Sequence, residues 1–284
     1  MNEPAHLAGL FGPSDKLSFL PELPPDVAHA YLQELAPSSK HYTTVPDGPH
    51  LRVLMWLRDA VNAFRESSLP SLGKELHLNI HESIFSSFVL PPHDGDDPAG
   101  SHPGATRIIA AWWRGTTSVQ ERNTWAVLDM HHYHAWESAC QGTSDGRGNY
   151  TCGDIVGRDE TLARCTSWAT NAFRKAFDEE CGPGAGLASA EFSASTHHLV
   201  RRACNDLATL RYSYQQQIEA AKAANVELFW WSYKMPYGGA FRAAWSFKHL
   251  MYLLGVTSRP DESNYGCSDH VALGDEPNDD IFAT

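Results

Sequence analysis

The sequence predicts an α/β fold built on parallel strands, and three observations predict it. Short apolar or alternating segments recur along the chain, at Glu75–Ile80, Thr124–Asp129, a stretch ending at Glu191, and Val226–Trp231. Between them, apolar residues return at helical spacing. The run Thr124-Trp125-Ala126-Val127-Leu128-Asp129 is almost continuously apolar, as a strand buried on both faces requires. Strands and helices that alternate in this way make a parallel sheet with helices outside it. With 284 residues, 42% of them hydrophobic and 11% aromatic, the chain has the material for one sizeable core.

Taken in order, Pro13 to Pro25 is rich in Pro, Ser and Asp and reads as a loop. Asp26 is a candidate N-cap, and Leu51, Leu54, Leu57, Val61 and Phe64 then mark an amphipathic helix. Glu75–Ile80 alternates in the manner of a strand, and a loop from Pro91 to Gly104 follows. The period of Arg107–Trp113 leaves its type open, and it is counted as a helix in the alternation. The strand Thr124–Asp129 comes next, and its polar end at Asp129 is where chemistry would sit. Cys140 to Gly157 reads as an excursion loop, and a helix through Leu162, Cys165, Ala169, Phe173 and Phe177 ends at Gly182-Pro183-Gly184. A strand ending at Glu191, a long helical region from Thr196 to Ala224, the strand Val226–Trp231 and a helix Trp245–Leu254 stopped by Gly255 complete the order. No internal repeat or linker divides the chain, so residues 1–284 read as one domain. The pattern is compatible with half of a closed barrel or with part of an open sheet.

A net charge of −12, from 22 basic and 34 acidic residues, argues against a nucleic-acid partner, which needs clustered Lys and Arg. Solubility is the simplest meaning of that charge. No apolar stretch reaches the length of a membrane span, and Met1 to Leu10 lacks the basic and apolar regions of a signal peptide. Six cysteines (Cys140, Cys152, Cys165, Cys181, Cys204, Cys267) include no CxxC pair suited to zinc, and they read as loop disulfides. With the sequon Asn149-Tyr150-Thr151 they point to an oxidising, secretory compartment. Buried free thiols and a chance sequon are the competing reading.

In an α/β fold the C-terminal ends of strands line the site. Those ends carry Glu3, His131 with Tyr133, Glu191 and Trp231. Two carboxyls, an imidazole, a phenol and an indole suit the cleavage of a sugar acetal: one carboxyl protonates the leaving oxygen, the other attacks the anomeric carbon, and aromatic rings stack on the sugar. His131, His132 and His134 invite a metal reading, but neighbouring strand residues face opposite sides, so no metal and no cofactor are expected. His131 and Tyr133 share a face, and His132 packs behind.

Four motifs in order, Asn2-Glu3-Pro4, Leu128-Asp129-Met130-His131-His132-Tyr133, Ala190-Glu191-Phe192-Ser193 and Phe229-Trp230-Trp231-Ser232-Tyr233-Lys234, resemble those of clan A glycosidases, above all the family 5 exo-β-1,3-glucanases. The segment Ala244-Trp245-Ser246-Phe247-Lys248 adds to the likeness. The resemblance implies a (β/α)8 barrel represented by its C-terminal half, with strands one to three and most of strand four missing before Met1. It also implies a retaining hydrolase of β-linked glucans, acting on a glucan or oligosaccharide and located outside the cell or in the secretory pathway. Asn2 would bind the sugar 2-hydroxyl, and Glu3 would act as acid, then base. Glu191 would be the ionised nucleophile, held by donors such as Tyr133; His131 and Tyr133 would bind sugar and Trp231 would form a platform beneath it. Trp230 would point outward. In a retaining enzyme the two carboxyls stand about 5 to 5.5 Å apart. Ala190 replaces the usual Gly before the nucleophile, and Tyr233 stands where a Trp is common. Half a barrel exposes a strand edge and is a poor folding unit alone. The alternatives are a non-catalytic carbohydrate-binding or interaction module derived from such a barrel, and a metal-dependent α/β hydrolase built on the histidines. No protein partner follows from the sequence.

Overall fold

A computed structural model describes residues 48–79, 103–129, 131, 133–136, 138–167, 173–233 and 244–258, with backbone alone at 48–54, 103–109 and 138. In chain order the elements are helix α1 (Gly48–Glu66), strand β1 (Leu76–Asn79), helices α2 (Pro103–Thr116) and α3 (Val119–Arg122), and strand β2 (Ala126–Asp129). Short strands β3 (Gly142–Thr143) and β4 (Tyr150–Thr151) follow, then helices α4 (Ile155–Ser167) and α5 (Arg174–Cys181) and strand β5 (Leu187–Phe192). Helix α6 (Leu207–Ala224), strand β6 (Val226–Trp230) and helix α7 (Phe247–Leu253) complete the set.

The main sheet has four strands in the order β1-β2-β5-β6. Leu76 to Asn79 pair in parallel with Ala126 to Asp129, and Leu128 and Asp129 with Leu187 and Ala188. The α/β fold with a parallel sheet is therefore present. The run Arg107–Trp113 is helical, inside α2. Two expectations change. The excursion loop contains a small two-stranded sheet, β3-β4, and α4 already starts at Ile155. The helix expected through Leu162 and Phe177 is described at both ends, as α4 and α5, and residues 168–172 between them lie outside the described residues. The region from Thr196 to Asp206, expected as helix, is built of bends and turns, and α6 begins only at Leu207. Its side chains explain the change: Thr196 Oγ1 accepts from the Cys204 amide at 2.8 Å and His197 Nδ1 from the Leu199 amide at 2.9 Å, local bonds that replace the helical ladder. The candidate cap Asp26 lies outside the described residues.

The chain divides into two compact units: Met1–His131 with Ala169–Ser189 and Ala224–Glu227, and His132–Trp168 with Ala190–Ala223 and Leu228–Thr284. Strands β5 and β6 each begin in the first and end in the second.

In the first unit β2 is buried along its whole length, as its apolar run predicts. Trp112 and Trp113 from α2 and Phe173 and Phe177 beside and within α5 are all at 0% exposure, and the two Phe rings meet edge to face at 5.1 Å. Truncating any one of these to Ala would cost about 3–5 kcal/mol. Phe64 of α1 packs on Trp125, with ring centroids 5.1 Å apart. The short α3 has a reciprocal capping box: Glu121 N–H donates to Ser118 Oγ at 3.2 Å and Ser118 N–H to the Glu121 carboxylate at 2.7 Å.

In the second unit the core gathers Ala135, Ala194, Leu210, Ala244, Trp245, Leu250 and Met251. Two disulfides, Cys140–Cys165 and Cys152–Cys204, cross-link it, so these four cysteines are paired as expected, although Cys165 lies within α4 and not in a loop. Gly142 lies against the Tyr150 ring, where an added Cβ would come within 2.1 Å of a ring carbon.

Candidate active site

Glu191 is the next-to-last residue of β5, after three buried residues, and is itself half-buried. In a parallel sheet this end of a strand faces the loops that build sites. The Tyr133 hydroxyl donates to Glu191 Oε2 at 2.8 Å, a charge-assisted bond when the carboxyl is ionised. The sequence separates these residues by 58 positions, so their meeting is a product of the fold.

Trp245 organises the aromatic side of this site. It is 5% exposed, and its ring lies 5.6 Å from that of Tyr133 and 5.5 Å from that of Trp231, at 89° to the latter. Its carbonyl accepts from the Ser232 amide at 2.8 Å and from Trp230 Nε1 at 2.9 Å. The Trp231 amide donates to the Phe192 carbonyl at 3.0 Å, and the Trp231–Ser232 peptide is cis. Trp231 keeps 39% of its surface exposed, while Trp230 packs among Phe192, Tyr214 and Phe247. Strand alternation thus divides the Trp pair between core and open face. A half-buried carboxylate, a phenol bonded to it and a partly open indole together suit a neutral polyhydroxylated ring: polar edges for hydrogen bonds and an apolar face for stacking.

Asn2 and Glu3 lie outside the described residues, and so does the Glu3–Glu191 separation. His131 belongs to the first compact unit and is 7% exposed, with Nε2 4.0 Å from Asp129 Oδ2. Asp129, expected as the polar end where chemistry sits, is 2% exposed and accepts a 3.2 Å bond from Asn79 Nδ2, so it is a buried, paired carboxyl. Among the described residues no group of three metal-binding side chains includes His131 or His134. His132 lies outside the described residues. A separate trio, Glu75, His77 and Glu227, brings its donor atoms within 4.8 Å of one another. Both glutamates are exposed, so solvent satisfies them as readily as an ion would. A cavity of about 880 Å³ lined by Arg65, Thr116, Ser118, Glu121 and Trp125 adjoins the start of β2, the opposite end of the strand from the site-forming edge.

Sequence reasoning missed Trp245 as the residue that joins Tyr133 to Trp231. The available signal is the Trp-Ser-Phe segment that begins at this residue, a motif that adds to the resemblance but carries no mark of a contact with Tyr133 or Trp231. Compared with family models, with curated proteins and with solved structures, the chain matches none.

Proposed function

We propose that the chain is a retaining glycoside hydrolase acting on β-linked glucans, with Glu191 as nucleophile, on a scaffold of the (β/α)8 type. The observation that carries this reading is the 2.8 Å bond from the Tyr133 hydroxyl to Glu191 Oε2. A nucleophilic carboxylate must present an oxygen along one line of attack, and a hydroxyl on its other oxygen fixes the plane of the group. Trp231, partly open and held at right angles to Trp245, supplies the sugar platform.

In this mechanism a Glu191 oxygen attacks the anomeric carbon while Glu3 protonates the leaving glycosidic oxygen. The glycosyl ester on Glu191 is then opened by water, whose proton passes to Glu3, and the anomeric configuration is retained. Asn2 and His131 complete the sugar contacts in this reading. The two disulfides support a secretory or extracellular location, because such bonds persist in oxidising compartments.

The test is covalent trapping. A 2-deoxy-2-fluoro-β-glucoside with a good leaving group should esterify Glu191, identified by peptide mapping. Glu191→Ala should lose turnover of aryl β-glucosides and regain it with azide, giving the α-glycosyl azide. Glucan binding by the wild-type chain with neither turnover nor labelling would replace the enzyme with a binding module, and turnover lost on chelation would replace the carboxylate mechanism with a metal one.

A further inference from the structure

We infer that Asn149 is an N-glycosylation site, occupied when the chain passes through an oxidising secretory compartment. Asn149-Tyr150-Thr151 is the only Asn-X-Ser/Thr triplet in the chain. The fold sets its three side chains apart. Tyr150 is 3% exposed and lies against Gly142, whereas Asn149 and Thr151 on either side are both exposed. Strand β4 alternates, with the Tyr150 ring inward and Thr151 outward, and Asn149 stands exposed in the bend just before it. The Asn149 amide donates to the Gln141 carbonyl at 2.7 Å, so the backbone at this point is tied to the β3 side of the loop. Ser144, Asp145, Gly146 and Arg147, which lead into the triplet, are exposed and polar or small, and they leave a bulky solvated group room beside them.

The second observation is the cross-linking around it. Cys152 directly follows the triplet and closes on Cys204, and Cys140 closes on Cys165. Both bonds need the oxidising conditions of the compartment in which asparagine is glycosylated. The inference does not depend on the catalytic reading: an inactive chain with the same loop would carry the same glycan.

The reaction is transfer of an oligosaccharide from a polyprenyl pyrophosphate donor. Asn149 Nδ2 forms a bond to the anomeric carbon of the first sugar, the bond from that carbon to the pyrophosphate oxygen breaks with its electron pair, and the amide proton passes to a base of the transferase. The amide is consumed once, so each chain gains one glycan.

The experiment is translation of the full chain behind a cleavable secretion signal into microsomes derived from the endoplasmic reticulum. Attachment precedes folding, so the readout survives a variant that folds poorly. The protease-protected chain should migrate as a single upshifted band that collapses on treatment with peptide-N-glycosidase, and peptide mapping should find Asn149 converted to Asp. Asn149→Gln and Thr151→Ala should each abolish the shift, and Thr151→Ser should keep it. A protease-protected chain with no shift, or a shift that survives Asn149→Gln, overturns the inference.

Discussion

Asp129 ends β2 and Glu191 nearly ends β5, so sequence pattern gives the two acids equivalent positions. Asp129 is 2% exposed and bonded to Asn79, whereas Glu191 is half-buried and bonded to Tyr133 beside a partly open Trp231. A carboxyl at the end of a parallel strand is thus either a buried joint between strands or a group that a ligand can reach, and its neighbours decide which. The same contrast separates the two compact units. The first keeps Cys181 as a buried thiol near Ala110, and the second cross-links four cysteines into two disulfides.

The largest expected effect attacks the open carboxyl. Glu191→Gln should lower kcat on an aryl β-glucoside by at least about a thousandfold, with circular dichroism unchanged, because it removes the proposed nucleophile and little else. Unimpaired turnover would end the proposed role. Next come the disulfides. Replacing Cys152 and Cys204 together by Ala should cost about 4 kcal/mol in denaturant unfolding, and replacing Cys140 and Cys165 slightly less, because the first pair spans 52 residues and the second 25. Cys181, its thiol pushed up to about 11 by burial, should meanwhile resist alkylation until the chain unfolds.

Tyr133→Phe keeps the ring against Trp245 and deletes the hydroxyl that binds Glu191. A hydrogen bond to a charged group contributes about 1.5–3 kcal/mol, so turnover should fall roughly 10- to 100-fold, with a loss of unfolding free energy no larger than that. Asp129→Ala should lose stability without losing chemistry: about 1–3 kcal/mol lost in unfolding, since Asn79 is left without its bond, and activity reduced only by the unfolded fraction. If Asp129→Ala left stability intact and abolished turnover, the contrast between the two carboxyls would be inverted.

The last effect is a pH dependence carried by His197 of the second unit. Burial, followed by the nearby His198 and Arg202, pushes His197 from 6.5 down to about 4, and its Nδ1 accepts the Leu199 amide proton. The unfolded chain therefore binds a proton that the folded chain refuses between about pH 6.5 and about pH 4. The stability His197 contributes is present above that window and is lost as pH falls through it. His197→Gln should flatten this part of a Tm-against-pH profile.

How legible each feature was follows from the range of the force that makes it. The strands at Leu76, Ala126, Leu187 and Val226 and the helix containing Leu57 and Val61 were readable, because burial of an apolar face imposes a period on neighbouring residues. The turns from Thr196 to Asp206 were not readable, because Thr196 and His197 capture backbone amides only once residues eight and two positions away are brought round. Glu191 was legible as a strand-end acid and Tyr133 as its expected donor. Trp245 was not, since a residue that acts by touching two others has no mark of its own in the chain.

The sequence by itself determined the α/β class, the near-terminal place of Glu191 on a parallel strand, the alternation that separates Trp230 from Trp231, and the only N-glycosylation triplet, because each depends on local period or local chemistry. Tertiary structure alone decided that Asp129 is sealed and Glu191 partly open, that Tyr133 reaches a carboxylate 58 residues away, and which cysteines pair. Those outcomes depend on desolvation and on contacts between distant segments, and neither quantity exists until the chain has packed.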